Sequence, residues 1–203
     1  MRTTRTLLAA GALTSLALGS AAATETYLFD TGHTEVRFSW DHVGISRQSA
    51  GFDTLDGTVT IVRDDVPQSA VDVTVDVASV NTGVPVFDEH LVSDDWFDAA
   101  AHPAITFEST GVRQVGPTEA MIDGDLTIKD ITKPVTLTAK LNFDGPHPLG
   151  EFVDAYAGQH YVGFEARTTV LRSEWDLGGY APLVSDAVEI VISTEMRRAD
   201  PTN

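Results

Sequence analysis

The chain has no cysteine. Disulfides, thiol nucleophiles, cysteine-ligated zinc and iron–sulfur clusters are excluded together. Lysine is nearly as scarce: Lys129, Lys133 and Lys140 are the only three in 203 residues. Acidic residues outnumber basic ones 30 to 13, for a formal charge of −17. A surface this acidic repels phosphate backbones, so nucleic acid is excluded as a partner. Long apolar runs are missing as well. The longest uncharged, largely apolar stretch, Leu7 to Leu18, has 12 residues, too few to span ~30 Å of hydrocarbon at ~1.5 Å per residue. The chain is therefore not read as embedded in a membrane.

Catalytic signatures are absent too. There is no H-E-x-x-H, no G-x-S-x-G elbow, no G-x-x-x-x-G-K-[ST] and no G-x-G-x-x-G, so zincin, hydrolase, P-loop and dinucleotide chemistries have no support. The six histidines are His33, His42, His90, His102, His147 and His160, and no two stand at i+2 or i+4. No metal site is expected from that spacing. The reading is a protein that is not an enzyme and carries no cofactor.

The short apolar stretch has a different meaning at the N-terminus. Arg2 and Arg5 precede it, and Ala21 and Ala23 follow it in the A-x-A arrangement of a cleavage site. Residues 1–23 read as a secretory signal peptide and 24–203 as one exported domain of the periplasmic type. Cleavage would remove two arginines and no acid, leaving the domain more acidic still.

What the domain does have is alternation. Val36, Phe38, Trp40 and His42 alternate with Glu35, Arg37, Ser39 and Asp41; Val71, Val73, Val75 and Val77 alternate with polar residues and Ala78. The same period of two recurs through Ile105–Phe107, Val135–Phe143, Val162–Val170 and Val188–Met196. One apolar and one wet face per strand is the pattern of antiparallel sheet with a single buried side. Breaks at Asp56-Gly57, Asp64 to Pro67, Gly116-Pro117, Asp130 to Pro134 and Asp144 to Pro146 separate the strands. The spacing predicts eight: 33–43, 52–63, 70–78, 104–113, 118–128, 134–143, 160–171 and 186–197. Eight one-sided strands suggest a closed antiparallel barrel, which leaves no sheet edge, with a two-sheet sandwich as the alternative. Pro85 to Asp98 reads as helix, with Pro85 at its first position and Ser93 opening a second short turn around Trp96 and Phe97. Residues 146–159 place Phe152, Val153 and Tyr156 at helical spacing.

Inward-facing residues of such a barrel either fill it or line a pocket, and periodicity alone does not choose. His42 ends an apolar strand face; it is either a core histidine or a polar contact at the mouth. Arg172 follows the Val162–Val170 face. Inside the barrel it needs partners, and Asp88, Glu89 or Glu174 are the expected carboxylates.

These residues fall in an order that resembles a known family. Asp30 and His33, then Val36, Phe38 and His42, resemble its opening Asp-x-x-His and Phe-x-x-x-His. Gly51-Phe52 with Gly57 and Ser79-Val80-Asn81-Thr82 follow. Asp88-Glu89-His90-Leu91 with Ser93, Asp95, Trp96, Phe97 and Asp98 is the strongest element. His102-Pro103 with Ile105, Phe107 and Ser109, Gly124 to Val135, Arg172 to Trp175 and Val184 to Asp186 complete the series. In this order the chain resembles the YceI-like family of bacterial periplasmic lipid-binding proteins over nearly all of 24–203. The resemblance implies an all-β fold: an eight-stranded antiparallel, lipocalin-like barrel with a short helical segment near its mouth. It also implies an apolar cavity for a polyisoprenoid, an isoprenoid quinone or a fatty-acid derivative, and it leaves a homodimer open. Phe38, Trp40, Phe107, Leu126, Phe164 and Ile190 are then the candidate cavity lining, and His42, His90 and Arg172 the candidate polar contacts at the mouth. An acid–base pair of Asp88 and His90 in an enzyme, or a filled barrel acting through its surface, are the rival readings. Three positions depart from the family: Phe87 and Val92 where basic residues are frequent, and Asp176 where glycine is.

Overall fold

The computed structural model describes residues 23–199. The signal-peptide reading of residues 1–23 therefore falls, but for Ala23, outside the described residues. Ten strands and one α-helix follow in order: β1 (Thr24–His42), β2 (Ser46–Phe52), β3 (Leu55–Val62), β4 (Ala70–Asp76), β5 (Val80–Asn81), α1 (Pro85–Leu91), β6 (Ala104–Gln114), β7 (Glu119–Ile128), β8 (Ile131–Pro146), β9 (His160–Leu171) and β10 (Ala187–Arg198).

Eight of these strands close into an antiparallel barrel. The sheet runs β10–β9–β8–β7–β6–β4–β3–β1, and β10 pairs back onto β1. Phe38 stands opposite Ile190 and Val36 opposite Ile192 across that seam, so the apolar faces meet inside. Closure removes the two edges that an open sheet would expose. The sandwich alternative is excluded.

β1 is longer than the spacing predicts. It starts at Thr24, not 33, because a register break between Phe29 and Thr34 interrupts the alternation. Its first half pairs with β3 and its second half with β2. The predicted strand 52–63 thus divides at Asp53-Thr54, and β2 was not predicted. Ser46, Arg47, Gln48 and Ser49 form its outer half and show no apolar alternation.

Other boundaries move for local reasons. Lys129 and Asp130, with φ of 50° and 59°, form the two-residue turn from Ile128 to Ile131, so the predicted break at 130–134 ends at Asp130. Pro134 lies inside β8, which pairs with β9 only from Thr138 onward. A proline there costs no ladder bond on that side. The helix stops at Leu91, well short of Asp98. The Ser93 hydroxyl donates back to the His90 carbonyl, and Trp96 N–H to the Ser93 carbonyl, which makes 92–98 a series of turns. In 146–159 the only helical element is a 3-10 turn, Asp154–Tyr156, and Phe152 is exposed.

Two apolar clusters fill opposite ends. Tyr27, Val162 and Met196 are fully buried and close one end. Trp40, Phe52, Val77, Leu91, Phe97, Trp175 and Leu177 build the other, where α1 and its turns lean over the barrel. The space between them is open.

Candidate functional site

A cavity of about 510 Å³ occupies the barrel interior. Its wall comes from every barrel strand: Phe29, Val36 and Phe38 on β1, Leu55 and Val59 on β3, Val73 and Val75 on β4, Ile105 and Phe107 on β6, Leu126 on β7, Val135 and Leu137 on β8, Ala166 on β9, Ile190 on β10. Two features of the sequence keep the middle open. Ala139 and Ala166 stand opposite each other on β8 and β9 and both face inward. Gly124 has no Cβ, and the ring of Phe107 lies where that atom would be, 2.4 Å from its position.

The nine residues singled out from the sequence all line this cavity. Phe38, Trp40, Phe107, Leu126, Phe164 and Ile190 are spread along its length. His42, His90 and Arg172 gather at one end. Among the lining residues, those exposed to solvent are His42, His90 and Tyr180, which marks that end as the mouth. Deep in the cavity the polar groups satisfy each other: Thr34 and Thr194 share a hydrogen bond of 2.8 Å.

Aromatic rings shape the mouth. Phe38 stacks on Trp40 and on Phe52, and Phe97 meets both Phe38 and Phe52 edge-on. Phe87 sets its edge against Trp40 and stacks on His90. The Trp96 indole N–H donates to Nε2 of His90 at 2.7 Å, so that nitrogen carries no proton. Phe87 lines the cavity here and adds an apolar ring to the mouth. Asp176 holds φ 58°, a left-handed position that favours glycine, and Lys129 pairs with its carboxylate at 3.5 Å.

Arg172 departs from expectation. It is buried, and neither Asp88, Glu89 nor Glu174 pairs with it. Its Nε donates to the Ser185 carbonyl at 2.9 Å. Nη2 donates to Gly179 at 2.9 Å and Val184 at 2.8 Å, and Nη1 donates to Leu177. Four of its five N–H groups thus hold the loop 177–185 by its backbone, and the guanidinium sits 5.6 Å above the Trp96 ring. Burial lowers its pKa from the ordinary arginine value, with Asp186 acting in the opposite sense. Asp186 itself accepts from the Ser173 hydroxyl and N–H, which lowers its own pKa. Carbonyl oxygens of one loop serve where a carboxylate was expected, because the chain following β9 returns over the guanidinium.

Asp88 and His90 do not form a pair. Asp88 Oδ1 accepts from the Thr82 N–H at 2.7 Å and the Thr82 hydroxyl at 2.6 Å, and Asp88 is not part of the cavity wall. The loop residues Leu177, Tyr180 and Val184 line the mouth and escaped the sequence reading. Arg172, followed by the Gly178-Gly179 pair, was the available signal: a buried arginine needs acceptors, and a glycine-rich loop can supply carbonyls at close range.

One group of side chains outside the cavity has metal-ligand chemistry. Asp30, His33 and Glu195 bring their ligand atoms within 4.8 Å of one another, and His33 Nδ1 lies 3.1 Å from Asp30. The Asp30 hydrogen bond and charge raise the His33 pKa. These three gather at the β1 register break, so histidine spacing in sequence did not reveal them.

Comparison with known proteins gives one consistent result. The model of the YceI-like domain matches residues 27–196. Protein YceI of Escherichia coli O157:H7 is 35% identical over 178 residues, which cover 87% of this chain and 88% of that protein. The crystal structure of Burkholderia cenocepacia BcnA superposes with a TM-score of 0.72 at 22% identity, over 82% of this chain and 98% of that one. A polyisoprenoid binding domain from Saccharophagus degradans superposes with a TM-score of 0.60 at 13% identity, over 86% and 98%. No described helix is long and apolar enough to cross a membrane. By sequence and by fold, the chain belongs to the YceI-like family.

Proposed function

We propose that the protein holds a long apolar amphiphile in its barrel, a polyisoprenoid, isoprenoid quinone or fatty-acid derivative, and carries or sequesters it in the periplasm without converting it. The observation that supports this most is the cavity itself. It has about 510 Å³, within the ~300–1,000 Å³ usual for small-molecule sites. Its wall is apolar along its length, and its imidazole and guanidinium groups, His42, His90 and Arg172, stand only at the mouth. An amphiphile matches that polarity: tail inside, head at the opening. Enclosing the tail removes several hundred Å² of apolar surface from water at ~25 cal/mol per Å². No covalent step is needed for that gain. Because Arg172 commits most of its hydrogen bonds to the loop, it acts on a head group mainly by its charge, while His42 and His90 supply direct contacts. The polyisoprenoid-binding description of the Saccharophagus degradans domain supports the ligand class, and the leader-like residues 1–23 support the compartment.

The test is a titration with a long-chain polyprenol and with palmitate, followed by tryptophan fluorescence, since Trp40 and Trp96 border the mouth. A saturable one-to-one change that a six-carbon acid does not produce is expected. An absence of any saturable response to long chains removes the proposal.

A further inference from the structure

Exposed apolar side chains gather at the mouth, and of them only Tyr180 also lines the cavity. Ile45 is 83% exposed, Tyr180 75%, Val86 72% and Leu183 72%, with Val43 and Val84 beside them. They come from three segments: the β1–β2 turn, the start of α1, and the loop 177–185. Two of these are joined, for Val43 N–H donates to the Leu183 carbonyl at 3.0 Å and His42 bridges to Val184. The lining residues that reach solvent, His42, His90 and Tyr180, lie on the same segments. At the opposite end Phe152, Val115, Leu149 and Val153 are exposed as well, but among the described residues no cavity-lining side chain reaches solvent there. Exposed apolar side chains gathered on the segments around one opening mark a contact site.

Two of these residues are held against their conformational preference. Val43 has φ 54° and Tyr180 φ 61°. A left-handed turn position favours Gly, Asn or Asp and disfavours a β-branched or bulky residue. Folding alone does not call for valine at a turn tip, whereas a surface that must be apolar does.

Charge decides what the surface meets. Residues 41–45, 84–96 and 177–186 contain no lysine or arginine, but they carry Asp41, Glu89, Asp94 and Asp95, all exposed. A second copy seated here would set acid against acid and seal the mouth. An anionic bilayer would be repelled in the same way. A bilayer of zwitterionic phospholipid has no net charge and admits apolar tips between its head groups.

We propose that the apolar ring docks the protein, mouth down, on a zwitterionic phospholipid bilayer, so that ligand passes between cavity and lipid without crossing water. This rests on the carrier reading above and adds the surface through which loading occurs.

Because the chain has no cysteine, single labels test it directly. Val86→Cys and Leu183→Cys at the ring, and Thr118→Cys at the far end, are each labelled with the environment-sensitive dye NBD. Phosphatidylcholine vesicles should shift the emission at 86 and 183 to the blue and leave 118 unchanged. Ile45→Asp, placed in the 86-labelled protein, should weaken vesicle partitioning roughly tenfold, the loss of one apolar anchor. Binding of a fluorescent fatty acid in vesicle-free solution should not change in that variant. No shift at the ring, or an equal shift at 118, overturns the proposal. So does a blue shift without vesicles together with a dimer mass in sedimentation, since a second copy would then cover the ring. Fatty-acid binding with no ring insertion would leave the carrier reading standing and remove only the docking. Ring insertion without fatty-acid binding would do the reverse.

Discussion

Ala166→Trp separates an open barrel from a filled one. Ala166 faces the interior between Ala139 on β8 and Ile192 on β10. In a close-packed core, so large an enlargement costs ~1–3 kcal/mol or more through displaced side chains. Here the new indole projects into a cavity of about 510 Å³. A tryptophan buries ~150–250 Å², worth about 4–6 kcal/mol gross at ~25 cal/mol per Å². The unpaired indole N–H takes back ~1–3 kcal/mol, and ordering the side chain takes back ~1 kcal/mol. Stability is therefore kept or raised. Ligand binding moves the other way. An indole displaces roughly four carbons of a bound tail, and at ~0.8 kcal/mol per methylene that is about 3 kcal/mol, a loss of more than ~100-fold in affinity. Urea unfolding and a palmitate titration on the same variant measure both quantities. A variant destabilised by several kcal/mol that still binds palmitate normally would refute the reasoning, because it would mean that the space is occupied by protein and that the ligand lies elsewhere.

Arg172→Met removes four hydrogen bonds to the carbonyls of Leu177, Gly179, Val184 and Ser185. The expected loss is ~2–4 kcal/mol in urea unfolding, with new protease cleavage in 177–185; an unchanged midpoint would contradict the role given to this side chain. Acid sensitivity traces to Arg63, which bonds both Asp144 and Glu25. The Arg63 bond holds the Asp144 carboxyl below its ordinary value; burial raises Glu25, but bonds from Arg63 and Tyr27 outweigh it. Both folded pKa values lie below the unfolded ones, so the unfolded chain takes up protons first as pH falls. Their contribution is present above about pH 4.5 and is lost as pH drops through the folded values. Arg63→Met should flatten stability against pH below that point by ~1 kcal/mol, a small figure because Arg63 is 39% exposed and screened. Identical pH profiles for variant and parent would refute the assignment.

The barrel was legible because its strands are one-sided. β7, β9 and β10 begin and end within two residues of the predicted bounds, since alternation there runs unbroken between turn residues; β6 does so too, although a register shift at Ser109–Gly111 changes its parity. It failed where alternation fails. The register break at Phe29–Thr34 concealed nearly half of β1, and Ser46 to Ser49, with no apolar face, concealed β2. Inward direction followed from parity alone, which is why residues as distant as Phe38 and Ile190 could be assigned to one wall. What parity cannot show is volume. Whether the interior is open depends on Ala139 facing Ala166 and on Gly124 receiving the Phe107 ring, which are pairings between strands and not patterns within one. The mouth was hardest to read. Carboxylates were expected around Arg172 because charge pairs with charge, but the backbone of 177–185 returns over the guanidinium and offers carbonyls first. The helix was overlong for a similar reason: Phe97 N–H and Ala99 N–H return to the carbonyls of Leu91 and Val92, folding 92–99 into turns that carry Trp96 and Phe97 over the barrel.

The most direct test of the central claim is organic extraction of the protein purified under mild conditions from its own host, followed by mass spectrometry. A single isoprenoid, quinone or acyl compound in near-stoichiometric amount is the predicted result. An extract with no such compound from protein that is folded and monodisperse would contradict it.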